Sequence, residues 1–217
     1  LNMLEITDEL LDKHINNILD VIDEIQEGKI TVIVGNNGVG KSLIRKQLHF
    51  KWQRKYGERK SYIRAVSMQQ RTENRSADWG ALGSMLHDDE TSPTSLWTYY
   101  LIKNTFKLDD TKKYYYVFDE LELGMSKETI LLVLNKIAEQ VPEFLEKSLG
   151  ILVITHSDFV ADYFMENFKC DFFNIGFGAV EKNYNAWKNR ELVGVDLDWL
   201  EDWSNKLYHR INERSKK

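Results

Sequence analysis

The segment Gly35-Asn36-Asn37-Gly38-Val39-Gly40-Lys41-Ser42 has the spacing of a P-loop: a glycine, four residues, then glycine, lysine and a hydroxyl residue. Glycines in such a loop let backbone N–H groups converge on one anion, and a helix starting just after them adds the positive end of its dipole. Asn36, Asn37, Gly38, Val39, Gly40, Lys41, Ser42 and Leu43 are therefore the candidate phosphate-binding residues. Lys41 is placed to neutralise the β- and γ-phosphates of a nucleotide, and the Ser42 hydroxyl to ligate Mg²⁺. A P-loop calls for a second strand ending in an acidic residue, and Tyr114-Tyr115-Tyr116-Val117-Phe118-Asp119-Glu120 supplies one. Asp119 is the candidate that holds Mg²⁺ through water, and Glu120 the candidate that orients or deprotonates the attacking water. The run Ile151 to Thr155 delivers His156 in the same way, where an imidazole could hydrogen-bond the γ-phosphate or the nucleophile.

These residues need elements to carry them, and the hydrophobic patterning predicts those elements. Asp8 to Gln26 has Leu11, Ile15, Ile18, Leu19, Ile22 and Ile25 at helical spacing, with Asp8 able to cap the helix and Gly28 to end it. Ile30 to Val34 reads as a buried parallel strand, and Ser42 to Tyr56 as the helix after the loop. Further strands are predicted over Ser61 to Met68, Tyr114 to Phe118 and Gly150 to Thr155, and helices over Leu96 to Phe106, Lys127 to Gln140 and Asp158 to Phe168. Gln69 to Ser95 is polar and reads as a long loop, a kind that is usually functional. Asp171 to Lys182 is predicted to be an antiparallel pair turning at Gly176 and Gly178, and Asp196 to Arg214 a closing helix. The alternation gives an α/β class, a mainly parallel sheet flanked by helices. One domain over residues 1–217 is expected, with an N-terminal helix in 1–28, a P-loop core in 29–170 and a hairpin and helix in 171–217.

The 217 residues suffice for a sizeable core. A formal net charge of −5 argues against a surface devoted to a polyanion, so nucleic acid is a possible partner that the charge does not favour. The basic stretches Lys51 to Lys60 and Arg210 to Lys217 read as solvated faces. The single cysteine, Cys170, excludes an intramolecular disulfide and fits a reducing cytoplasm. No apolar run approaches bilayer length, and the first residues lack a basic-then-apolar leader pattern. The aromatic group Trp187, Trp199, Trp203 and Tyr208 is expected to pack, and to serve as a partner surface if exposed.

P-loop, Asp-Glu and Thr-His, in that order from Ile30 to Ser157, resemble the nucleotide-binding domains of the ABC ATPase superfamily, including the soluble heads of chromosome-maintenance and repair ATPases. The resemblance implies a P-loop NTPase fold, ATP and Mg²⁺ as ligands, Glu120 as catalytic glutamate and His156 as switch histidine. It also implies a glutamine touching the metal and the attacking water, for which Gln69 and Gln70 are candidates, Gln70 slightly preferred. In place of the family's serine-glycine-glycine signature stands Thr91-Ser92-Pro93-Thr94-Ser95, which keeps the hydroxyls and lacks both glycines. A reduced contact of these hydroxyls with the ATP of an opposing copy, and hence an ATP-dependent homodimer, is the implied assembly. Leu121 to Ser126 departs from the transporter pattern, with Gly124 to Ser126 still forming a turn, and no heptad coiled coil is inserted. The expectation is a cytoplasmic ATPase whose hydrolysis switches self-association or an effector protein, in genome maintenance or defence against invading nucleic acid. A transporter's ATPase subunit and a non-hydrolytic nucleotide-sensing scaffold are the alternatives. The base preference stays open.

Overall fold

Continuous apolar runs in the chain become buried strands, and the runs at helical spacing become the helices between them. The computed structural model describes residues 5–57, 63–67, 113–191 and 194–214, with residues 42, 66 and 67 described by their backbone alone. The expected loop from Gln69 to Ser95, the expected helix from Leu96 to Phe106, and Gln69, Gln70 and Thr91 to Ser95 lie outside the described residues. The elements are helix α1 (Asp8–Glu24), strand β1 (Ile30–Gly35), α2 (Lys41–Tyr56), β2 (Ile63–Ser67), β3 (Tyr115–Asp119), α3 (Lys127–Lys147), β4 (Gly150–Thr155), α4 (Asp158–Asn167), β5 (Cys170–Ile175), β6 (Val180–Glu181), α5 (Tyr184–Lys188) and α6 (Leu197–Arg214). The class is α/β, a mainly parallel sheet flanked by helices, as the alternation of patterns requires. The chain divides into two compact units, one of Glu27–Val32 with Ser61–Cys170 and one of Leu1–Gln26, Ile33–Lys60 and Asp171–Lys217.

In the first of these units the strand order is β2-β3-β4 followed by the opening residues of β1. β2, β3 and β4 run parallel, with Ser67 opposite Asp119 and Asp119 opposite Ile154, so their carboxyl ends lie side by side. Tyr115 to Phe118 and Ile151 to Ile154 are buried on both faces, which is why they read as unbroken apolar runs. Gly150 opens β4 at φ +135°, and a Cβ there would stand 2.8 Å from both the Lys29 carbonyl oxygen and the Tyr115 ring. Only glycine fits that close approach. Ser126 and Ser157 cap α3 and α4, accepting from Thr129 N–H and Val160 N–H, and both helices pack against β4. α3 continues to Lys147, past the predicted end at Gln140 and through Pro142. Val141 and Phe144, 1% and 2% exposed, bury their side chains in that extension, which outweighs the hydrogen bond proline removes.

In the second unit the order is β1-β5-β6, with β5 and β6 antiparallel and Asn174 opposite Glu181. α1 packs on α2 and α6. Thr7, not Asp8, caps α1, its hydroxyl accepting from Leu10 N–H at 3.2 Å. At the other end Lys51 of α2 donates to the carbonyls of Ile22, Asp23 and Ile25 at 2.7, 3.0 and 2.9 Å. A cation at a helix C-terminus is favoured by the carbonyls of the last turn, so Lys51 closes α1 and is not part of a solvated face. Two members of the basic C-terminal stretch are likewise engaged, Arg210 gripping Asp12 through two donors at 2.7 and 2.5 Å and Arg214 reaching Asp12 at 3.1 Å. Trp187 and Trp203 are buried and Trp199 stacks on Trp203 at 5.5 Å, so these three pack, whereas Tyr208 is exposed. Among the described residues, no helix is long and apolar enough to cross a membrane.

The Arg210 clamp sets an acid limit on the packing of α1 against α6. Hydrogen bonds from Arg210, with the charge of Arg214 beside it, hold the Asp12 carboxyl down to about 2, against an ordinary 3.8. A carboxyl whose folded value is depressed contributes its stabilisation fully above the ordinary value and loses it as the pH falls through the folded one. Asp12→Asn is therefore expected to flatten the loss of stability between about pH 4 and pH 2. Urea unfolding at several pH values, with wild type and variant compared, checks this.

Candidate phosphate-binding loop and catalytic strand ends

The P-loop lies in the second unit and joins β1 directly to α2. β1 is buried from Ile30 to Val34, after which Asn36, Asn37 and Gly38 are exposed and Val39 is again fully buried. Gly38 and Gly40 adopt left-handed backbone, at φ +77° and +81°. The chain can thus fold back on itself over three residues, as a loop that gathers N–H groups must. α2 begins at Lys41 with Gly40 as its N-cap and no side chain capping it. Its first-turn N–H groups are of the kind that binds anions at helix N-termini. Lys41 is 7% exposed and its ammonium donates to the carbonyls of Gly35 and Asn36 at 2.9 and 3.0 Å. The loop's lysine is therefore already folded back over its own loop. The Leu43 N–H donates to Gly40 at 2.9 Å, which closes the first turn. The Ser42 side chain is outside the described set.

The first unit holds the acidic pair and the histidine. Asp119 ends β3, and Glu120 follows it in left-handed backbone at φ +55°, where non-glycine residues are uncommon. Its N–H donates to the Ile154 carbonyl at 2.8 Å, which ties this residue to the end of β4. One strand end away, His156 Nε2 lies 2.5 Å from Glu120 Oε1, with both side chains half-buried. The two residues singled out for work on the nucleophile thus meet directly, although 36 positions separate them in the chain.

Glu122 was not among the sequence-derived candidates, and it organises this cluster. Its Oε1 accepts from the Thr155 hydroxyl at 2.5 Å and from the His156 N–H at 3.0 Å, while Thr155 in turn accepts from Ser157 N–H at 2.9 Å. Its Oε2 is buried and has no hydrogen-bond partner among the described residues. Glu122 fixes the main chain at His156 and with it the approach of the imidazole to Glu120. A carboxylate two residues beyond an Asp-Glu pair was the available cue, but a sequence does not say that it turns back toward the next strand. Glu122→Ala leaves Thr155 and His156 N–H without their acceptor, a cost of about 1–3 kcal/mol in stability. Glu122→Gln, which keeps an acceptor oxygen, should recover most of that loss. Urea unfolding of the two variants checks this.

Among the described residues no group of three or more His, Cys, Asp or Glu side chains is suited to hold a metal ion. Mg²⁺ that travels with a nucleotide asks for less, one or two protein oxygen ligands with the phosphates and water completing its shell. Asp119 at the end of β3 is a donor of that kind.

Fold and loop together define a class: an α/β protein in which a P-loop leads from a buried strand into a helix, with acidic residues at the carboxyl end of a parallel strand. Among solved structures the chain is similar to cbiO1 from Clostridium perfringens, described as part of the ABC transporter complex cbiONQ. The two share 15% identity over 76% of this chain and 81% of that one, with a TM-score of 0.46. It is also similar to the DnaC helicase loader, at 14% identity over 81% of this chain and 94% of that one and a TM-score of 0.40. For C. elegans PCH-2 the values are 13% identity, 77% of this chain, 39% of that one and a TM-score of 0.40. No protein-family model and no curated protein matches the chain.

Proposed function

We propose that this chain binds ATP with Mg²⁺ at Gly35 to Ser42 and hydrolyses it. The observation that carries this reading is the P-loop itself: a buried strand, glycines in left-handed backbone, an uncapped helix N-terminus and a lysine folded over the loop. In this reading Asn36 to Leu43 supply main-chain donors and Lys41 neutralises the β- and γ-phosphates. Mg²⁺, held by Ser42 and Gln70 and by water on Asp119, would withdraw charge from the phosphates. Glu120 accepts the proton of the attacking water, and His156 holds the Glu120 carboxylate in place and lies close enough to share that proton. The direct Glu120–His156 contact favours hydrolysis over binding alone, since a nucleotide-sensing scaffold has no need of such a pair.

The finer proposal is that turnover switches an association, either with a second copy of the chain under control of ATP or with an effector protein, in the cytoplasm and in genome maintenance or defence. It rests on the resemblance of the three motifs to ABC ATPases, which is a warrant by analogy. Phosphate release from ATP by the purified chain, with Mg²⁺ and then with excess EDTA, tests the chemistry. Sizing with and without ATP tests the switch. Metal-dependent release together with an ATP-dependent change in size supports both. ATP bound but not cleaved supports the scaffold, and no binding at all removes the reading.

A further inference from the structure

His14 lies on the buried face of α1 and is 0% exposed, outside both the P-loop and the Glu120–His156 cluster. Its two ring nitrogens are both engaged within the second unit. Gly178 N–H, in the turn between β5 and β6, donates to Nδ1 at 3.2 Å, and Nε2 lies 3.0 Å from the carbonyl oxygen of Val39 in the P-loop. A main-chain N–H can only donate, so Nδ1 must be the accepting nitrogen. The proton then sits on Nε2 and is donated to Val39, which makes His14 a neutral imidazole of defined tautomer. Burial lowers the His14 pKa, in keeping with that neutral form. The ring is braced by Trp203 of α6, edge on at 5.0 Å and 74°, within a cluster that includes Leu11, Ile15 and Leu207.

The Val39–Gly40 peptide is trans, so its C=O and N–H point in opposite directions. Drawing the Val39 carbonyl toward α1 therefore turns the Gly40 N–H to the other side of the loop. Gly40 stands in left-handed backbone and carries no Cβ, so no side chain of its own fixes the orientation of this peptide. We infer that His14 is a positioning residue of the phosphate-binding loop: through Nε2–H it holds the Val39 carbonyl and so presents Gly40 N–H to phosphate. The inference rests on the reading of the loop as an ATP site.

Two substitutions separate this role from simple packing. Counted in bonds from Cβ, the Nε2 of glutamine stands where the imidazole Nε2 stands, and the Oδ1 of asparagine where Nδ1 stands. His14→Gln keeps the donor to Val39, whereas His14→Asn keeps only the acceptor for Gly178. Titration with a fluorescent ATP analogue and Mg²⁺ should show His14→Asn binding roughly tenfold more weakly than wild type, with His14→Gln near wild type. Equal weakening in both variants, or none in either, overturns the inference. Loss of binding in the wild type overturns the ATP reading itself, and Lys41→Ala run alongside shows whether the assay reports the loop. If His14→Asn does not fold, the wild type decides by nitrogen NMR of the histidine rings. A His14 signal in the Nε2–H tautomer that moves on adding ADP with Mg²⁺ upholds the role. The other tautomer, or a signal that ADP leaves in place, overturns it.

Discussion

Glu120→Gln is expected to lower the rate of ATP hydrolysis by roughly 10²–10⁴-fold while ATP affinity is held, because the change removes a proton acceptor and little else. Glutamine has nearly the shape of glutamate, and its Oε1 still accepts from an imidazole N–H, so the 2.5 Å contact with His156 has a neutral equivalent. The backbone is the less forgiving part of this position. Glu120 stands at φ +55° with its N–H tied to Ile154, a conformation that costs a non-glycine residue of order 1 kcal/mol and persists only where the surroundings impose it. The side chain is thus aimed by β3 and β4 together, and the substitution leaves that aim alone. A quench-flow measurement of ATP cleavage beside an equilibrium binding titration separates the two quantities. A variant that turns over at the wild-type rate would remove Glu120 from the mechanism.

Lys41→Ala is expected to act on the other quantity, weakening ATP binding by roughly 10²–10³-fold, the scale of removing one partner of a buried, hydrogen-bonded charge pair. Lys41 is almost fully buried, with its ammonium on the carbonyls of Gly35 and Asn36, so its charge is already desolvated and in place before any phosphate arrives. Such a charge is screened little by salt. Lys41→Arg should not restore binding, because a planar guanidinium cannot reproduce a compact ammonium over two closely spaced carbonyls. Calorimetric titration of wild type and both variants with ATP and Mg²⁺ checks this, and circular dichroism confirms that the helices survive.

The parts of the fold legible in the sequence were those written in local patterning. Ile30 to Val34, Tyr114 to Phe118 and Gly150 to Thr155 are continuous or nearly continuous apolar runs, and each became a buried strand to within a residue or two at its ends. The closing helix likewise begins at its Asp196 signal, with Trp199 N–H donating to the Asp196 carboxylate at 3.0 Å. What the patterning did not carry is partnership across the chain. His14 falls on the apolar stripe of α1, between Leu11 and Ile18, and a period shows only that it faces inward, not that Val39 and Gly178 wait for it. Leu19, read as part of that stripe, is instead 38% exposed. Lys51, Arg210 and Arg214 stand in charge runs that predict solvated faces, whereas their partners lie on α1, far away in sequence. The five-residue helix α5 is too short to show a period at all, and it is held by its Asn183 cap and the burial of Trp187. In the candidate site, residue identity and spacing gave Lys41, Asp119, Glu120 and His156, whereas Glu122 required knowing that β3 and β4 are neighbours in register.

Whether this chain hydrolyses ATP at its P-loop is decided by single-turnover cleavage of labelled ATP by the purified wild type in the presence of Mg²⁺, with Glu120→Gln as the reference. The wild type is expected to convert bound ATP to ADP and phosphate, and the variant to retain it uncleaved over the same interval. ATP that binds the wild type yet is recovered intact, or is cleaved equally by both proteins, would contradict that expectation.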